Sequence, residues 1–178
     1  KKLEGYFTID FYQTRFQNQF FPDYDSDTRL AFIGNFTGKS VANGFQTDLN
    51  LKLFKIVEVK AAYNYLDVFR VNNAVKTQLP FNAKHKFLMA ISYLPKNKKW
   101  RSDLNIHWFG KQRLPNTEMN PDIYRQADWS KAYTTFNLQF TKSWKKIELY
   151  GGAENIFDYR QLRPIVSWQN PFSPYFDT

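Results

Sequence analysis

The chain has 178 residues, a net charge of +9 and no cysteine. That length suits one domain, and the absence of thiols excludes disulfides, thiolate metal sites and iron–sulfur clusters. The basic residues are spread along the chain with one local cluster at Lys96, Lys98 and Lys99, a distribution that argues against a nucleic-acid partner. Aromatic residues make up 19% of the chain, yet the mean hydropathy is −0.59, so aromatic and polar residues must alternate finely. The longest apolar run is Phe87–Ile91, far short of the about 20 residues of a spanning helix. The first residues, "KKLEGYFTIDFYQTRFQNQF", hold no apolar core or cleavage site of a signal peptide, so the chain is either cytosolic or its export signal was removed or lies upstream.

Taken in chain order, the pattern has period two. Strands are expected at about 3–21 and 29–54, the second bent or bulged near Thr37–Ser40, where Gly38 relaxes the backbone. Within it Leu49, Leu51 and Leu53 alternate with Asp48, Asn50 and Lys52. The next strand, about 56–69, sets Val57, Val59, Ala61, Tyr63 and Tyr65 against Glu58, Lys60 and Asn64. Four more follow at about 82–94, 99–113, 131–144 and 146–157, with Phe87, Met89 and Ile91, then Leu104, Ile106 and Trp108, then Phe136, Leu138 and Phe140, then Ile147 and Leu149 on their apolar sides. No stretch carries a helical stripe, so almost no helix is expected. Short connections at Phe54–Ile56, Pro95–Lys99 and Trp144–Lys146 alternate with long ones at about 70–81, 112–131 and 158–178. That alternation predicts an all-β, antiparallel up-and-down meander with tight turns at one end and large loops at the other.

The polar faces carry Asp, Glu, Lys, Asn and Gln, as a wet interior would require, and several strands exceed the about 9–11 residues that cross a bilayer. Tyr65, Phe69, Tyr93, Trp100, Trp108 and Trp144 stand near strand ends, as in the aromatic girdles of membrane barrels. These features predict a transmembrane β-barrel with its apolar face outward. Three alternatives remain open on the residues alone: a small barrel of about eight strands with a structural or adhesion role, a soluble ligand-binding barrel of lipocalin type, and an outer-membrane protease or lipase.

Four motifs in order, "TGKSVANGFQTDLNLKL" (Thr37–Leu53), "AAYNYLDV" (Ala61–Val68), "LPFNAKHKFLMAISY" (Leu79–Tyr93) and "YGGAENIFDYRQLRPIV…NPFSPYFD" (Tyr150–Asp177), resemble the C-terminal barrel of TonB-dependent outer-membrane receptors, in the branch that includes SusC-like transporters. The resemblance covers essentially the whole chain. It implies a barrel of about 22 strands, of which this chain would supply a partial barrel of about seven, residues 1–178 being a C-terminal segment that lacks the plug domain, the TonB box and the final strand. It implies energy-coupled uptake of a solute (a siderophore, oligosaccharide or peptide) across the bacterial outer membrane, no enzymatic activity, and as partners the outer-membrane lipid, the plug and remaining strands of the same receptor, the TonB complex, and a surface lipoprotein at the mouth.

Within these motifs, Gly151 and Gly152 would remove side chains where the sheet bends or something packs closely, Glu154 keeps the lumen parity of Glu148 and Tyr150, and Asn155 and Asp158 would bond nearby backbone and end the strand. Pro80 belongs outside a ladder, and His85 reads as a structural rim residue. The sequence contains no catalytic constellation, no cofactor motif and no metal cluster: His85 and His107 lack zinc-ligand spacing, "GKS" (Gly38–Ser40) lacks the upstream glycine of a phosphate loop, and the sequon at Asn35–Thr37 reads as chance. Function is expected in binding. The loop residues Arg113, Asp122, Tyr124, Arg125, Asp128 and Trp129, with Tyr159, Arg160, Arg163 and Trp168 of the last loop, offer guanidinium and aromatic groups that could grip a sugar, peptide or acidic ligand, the alternative being that such loops pack on each other at the barrel mouth. Glu58, Lys60, Asn105, Asn137 and Gln139 face the lumen, toward a plug or a solute path.

Overall fold

The computed structural model describes residues 3–27, 30–161, 169–170 and 172–175. Ten strands run in chain order: β1 (Leu3–Gln17), β2 (Phe20–Asp23), β3 (Phe32–Asn35), β4 (Lys39–Leu53), β5 (Val57–Asn72), β6 (Val75–Gln78), β7 (His85–Tyr93), β8 (Trp100–Phe109), β9 (Tyr133–Ser143) and β10 (Glu148–Ala153). The main sheet has the order β1-β4-β5-β7-β8-β9-β10, with β6 paired to the upper part of β5 and β2–β3 forming a separate hairpin. Every pairing is antiparallel. The sheet is an open arc of an up-and-down barrel, with β1 and β10 at its edges.

Register carries the alternation across the whole sheet. One row reads Gly5, Leu51, Val59, Ile91, Leu104, Leu138 and Ala153. The adjacent row, of opposite parity, reads Glu4, Lys52, Glu58, Ser92, Asp103, Gln139 and Gly152. Strand side chains alternate between faces, so one face of the wall is apolar and the other polar. Among the described residues Ala83 is the only buried hydrophobic, while Phe7 and Phe11 are 62% and 75% exposed. The apolar face has no protein core to cover it. Lipid supplies that cover in a membrane barrel.

Aromatic side chains bound the apolar band at both ends. At the loop end Phe45 lies 6.0 Å from Phe11 and 5.7 Å from Tyr65, and Tyr65 lies 5.1 Å from His85. The His85 ring is also 2.6 Å from the Tyr63 hydroxyl through Nδ1, which makes it a rim residue of β7. At the turn end Tyr93, Trp100 and Trp144 stand on the same face, each about half exposed.

The structure departs from the sequence expectation at the loop end. The first strand stops at Gln17 rather than residue 21, where Asn18 takes a left-handed φ of 55°. The expected strand 29–54 is divided into β3 and β4 by a break at 36–38. At that break Gly38 is demanded by close approach rather than by backbone freedom: a Cβ there would stand 2.6 Å from the Val71 carbonyl oxygen. The expected loop 70–81 contains a hairpin. β5 continues to Asn72, and Asn73 and Ala74, with φ of 47° and 64°, turn the chain into β6, the left-handed pair that matches strand twist in a two-residue hairpin. Gly152 meets the Leu138 carbonyl oxygen closely, whereas a side chain at Gly151 would find open space. The one helical element among the described residues is a 3-10 turn at Asp122–Tyr124.

Strand lengths make the wall uneven. β1, β4 and β5 have 15, 15 and 16 residues, against 9 and 10 for β7 and β8. The tall side rises beyond the aromatic row and carries the β2–β3 hairpin.

Candidate functional site: the lumen wall and the mouth

The polar face positions Glu58, Lys60, Asn105, Asn137 and Gln139 together. Lys60, Ala90, Asn105 and Asn137 follow one another in register. Asn50 Nδ2 donates to Glu58 Oε1 at 3.2 Å, and Lys60 Nζ lies 3.4 Å from the same oxygen. Asn137 Oδ1 accepts from the Asn155 N–H at 2.8 Å, and Gln139 Nε2 donates to Thr141 Oγ1 at 3.4 Å. At the turn end this face opens into a hollow of about 370 Å³ between Glu4, Lys52, Lys55, Glu58, Ser92 and Arg101. Its lining mixes charges of both signs with the apolar Ile56, Val57 and Leu94, which does not suit a single ionic ligand.

The mouth is organised around Asp25, at the tip of the β2–β3 hairpin. Arg113 grips it in a fork, Nη1 to Oδ1 at 2.8 Å and Nη2 to Oδ2 at 2.7 Å, and gives its Nε–H to the Gln78 carbonyl at 2.6 Å. Arg70 Nη2 approaches Asp25 Oδ2 at 3.5 Å and lies over the Phe21 and Phe36 rings at 5.1 and 5.7 Å. The side chains of Asp25, Arg70 and Arg113 are all under a fifth exposed. Burial disfavours the neighbouring Asp23 carboxylate, but the Ser26 hydroxyl, the Asp25 and Ser26 backbone and the Arg70 charge outweigh it and hold its pKa below the ordinary value. These contacts fasten the hairpin to the loop between β8 and β9 and to the top of β5.

The other candidate residues fall into smaller groups. Asp122 and Arg125 pair across the 3-10 turn at 2.8 Å, and Tyr124 stacks on Tyr175 with centroids 5.3 Å apart. Trp129 forms an isolated antiparallel bridge to Arg113 and remains 45% exposed. The Asp128 carbonyl accepts from the Leu114 N–H at 2.8 Å. Tyr159 lies parallel to Tyr133 at 4.7 Å, and Tyr133 to Phe109 at 5.0 Å, giving a column of three rings. That column depends on Asn155, whose side chain accepts from the Tyr159 N–H at 3.0 Å and donates to the Tyr159 carbonyl at 2.9 Å, ending β10. Arg160 pairs with Asp158 at 2.9 Å in solvent. Arg163 and Trp168 lie outside the described residues. Sequence reasoning missed Asp25, Arg70 and Tyr133. The signal available was "FPDYDSD", which sets three aspartates close together in a basic chain.

A wall with a bare apolar face, a polar inner face, tight turns below and an ion-paired mouth above is the architecture of a membrane β-barrel. The family described as TonB dependent receptor-like, beta-barrel, matches residues 2–156, and the chain belongs to it. No protein of curated function matches the chain. Among solved structures, the ferric-catecholate import receptor Fiu of E. coli K12 is similar with 12% identity and a TM-score of 0.63, over 88% of this chain and 21% of that one. FpvA of P. aeruginosa, solved with heterologous pyoverdines, is similar with 15% identity and a TM-score of 0.64, over 89% and 21%. The siderophore receptor PiuA of Acinetobacter baumannii shows 17% identity and a TM-score of 0.59, over 88% and 22%. At these identities the likeness is one of fold, and the chain spans about a fifth of the length of each receptor.

Proposed function

We propose that these residues form part of the wall and mouth of a TonB-dependent transporter that takes up a solute (a siderophore, oligosaccharide or peptide) across the bacterial outer membrane. The observation that carries this reading is the unbroken two-faced register of the sheet, together with membership of the receptor family. In this reading the residues are a C-terminal segment of a barrel of about 22 strands, and the lumen row through Lys60, Asn105 and Asn137 faces a plug domain. Arg125, Trp129, Tyr159 and Arg160 stand exposed or half-exposed at the mouth and would meet the solute, with Asp122 and Tyr124 holding their turn and Arg113 fixing the loop that presents them. The motifs Thr37–Leu53 and Tyr150–Asp177 support kinship with the SusC-like branch, and with it a lipoprotein at the mouth.

The test is uptake by cells that carry or lack the intact protein, with and without a protonophore. Uptake that needs both the protein and the proton gradient supports the reading, and Trp129→Ala with Tyr159→Ala should raise the half-saturating solute concentration. Uptake indifferent to the gradient overturns it. So does an intact mass near 21.3 kDa for the protein extracted from its native membrane, because so short a chain cannot close a plugged barrel.

A further inference from the structure

The turn end of the wall carries a feature that uptake does not use. The turn between β7 and β8 holds Lys96, Lys98 and Lys99, and the turn between β9 and β10 holds Lys145 and Lys146. The two turns are neighbours: the Ser143 N–H donates to the Lys99 carbonyl at 3.0 Å, and Trp100 is the register partner of Lys142. Neither turn contains an acidic residue. Among the described residues none of these five lysines enters an ion pair; of the carboxylates close by, Asp103 is paired with Arg101 and Glu148 accepts from the Ser143 hydroxyl. Beside them, on the apolar outer face, Lys142 Nζ sits 3.7 Å over the Trp100 ring and 5.8 Å from the Trp144 ring. Both indoles are more than half exposed.

We infer that this rim binds the phosphate of an anionic phospholipid headgroup, in the leaflet that meets the short turns. The inference rests on the membrane placement proposed above. Two requirements fix the ligand class. It must satisfy five ammonium groups that have no ion-pair partner among the described residues, which calls for negative charge. It must also touch two indoles at the edge of the apolar band, the depth at which Trp settles in a bilayer. An acidic soluble protein meets the first requirement only. A lipid meets both, its phosphate among the lysines and its glycerol region against the rings, with the Lys142 stem lying along apolar surface.

The test is native mass spectrometry of the intact receptor, reconstituted in phosphatidylcholine with a minor share of phosphatidylglycerol and then stripped with mild detergent. The wild type should retain phosphatidylglycerol in preference to phosphatidylcholine. The variant Lys96→Gln, Lys98→Gln, Lys99→Gln, Lys145→Gln, Lys146→Gln should lose that preference by at least about tenfold. A wild type without the preference, or a variant that keeps it, overturns the inference, the first outcome favouring an acidic protein partner. If the variant does not insert, the salt dependence of the wild type decides: retention must fall as ionic strength rises, and salt-indifferent retention overturns the inference. A wild type that fails to enter neutral phosphatidylcholine vesicles would overturn the membrane reading itself, and this inference with it.

Discussion

At the loop rim, Arg70 and Arg113 converge on Asp25, and Lys76 and Lys84 each reach one carboxylate oxygen of Asp67 at 2.9 Å. At the turn rim, among the described residues, the lysines of two adjacent turns enter no ion pair. The chain spreads its basic residues along the sequence; the fold gives Arg70, Arg113, Lys76 and Lys84 carboxylate partners above, while the lysines of the two turns below have none among the described residues. Those four cations are paired where loops must be held in shape over an opening, and the turn lysines sit where the wall ends in tight turns whose own hydrogen bonds already fix them, as the Trp144 N–H to Ile147 carbonyl bond of 2.8 Å does. Like residues therefore serve order at one rim and attraction at the other.

The sharpest way to break this contrast is at Arg113. Arg113→Ala leaves a largely buried carboxylate with Arg70 as its one cation and the Asn116 N–H at 3.4 Å, and should weaken closure of the β2–β3 hairpin by about 3 kcal/mol. Hydrogen exchange at the Phe36 N–H, bonded to the Gln19 carbonyl at 2.9 Å, should accelerate accordingly. Arg113→Lys should recover only part of the loss, because a lysine cannot form the fork. Unchanged exchange in Arg113→Ala would mean that Phe21, Phe36 and Arg70 suffice.

A smaller effect is expected at Asp67, which lies beyond the aromatic row. Partial burial disfavours its charged form, but the hydrogen bonds and charges of Lys84 and Lys76 outweigh that and lower its pKa from 3.8. A lowered folded pKa means that the contribution is whole above the unfolded value and fades as pH falls through the folded one. Protection of the Leu79 N–H, bonded to the Val68 carbonyl at 3.2 Å, should therefore drop in acid by about 1 kcal/mol, and Asp67→Asn should flatten that pH profile. The smallest effect is expected below: Lys98→Gln with Lys145→Gln should change barrel stability in neutral detergent by less than about 0.5 kcal/mol. A loss comparable to that of Arg113→Ala would end the distinction between the rims.

The faces of the wall were legible in the sequence because strand parity is a local property. Leu49, Leu51 and Leu53 fix their own side, and the structure keeps every such group together. Strand ends were less legible. Asn73 and Ala74 carry no glycine, so the hairpin into β6 read as loop, although Asn is among the residues that accept left-handed backbone. Asn155 was read for what it does, since an Asx side chain bonds backbone a few residues away. Arg113 was recognisable as a loop guanidinium, but its partner Asp25 is 88 positions earlier, and no spacing within one loop announces such a pair. The column of Phe109, Tyr133 and Tyr159 was hidden for the same reason: three loop-end rings meet only once β8, β9 and the Asn155 turn are placed.

In the main sheet each strand pairs with the strand that the chain delivers next, apart from the β2–β3 hairpin and β6, which are themselves local. Across the longest connection the nearest paired residues are Phe109 and Tyr133. Among the described residues no ladder of the main sheet waits for a distant segment. Such a wall can be laid down one hairpin at a time, each new strand templated by the exposed edge of the last, so the slow search that non-local strand pairing imposes is avoided. An error in the turn at Phe54–Ile56 would then act in time as well as in space. It would stall the addition of β5 and everything after it, while leaving β1 and β4 already zipped.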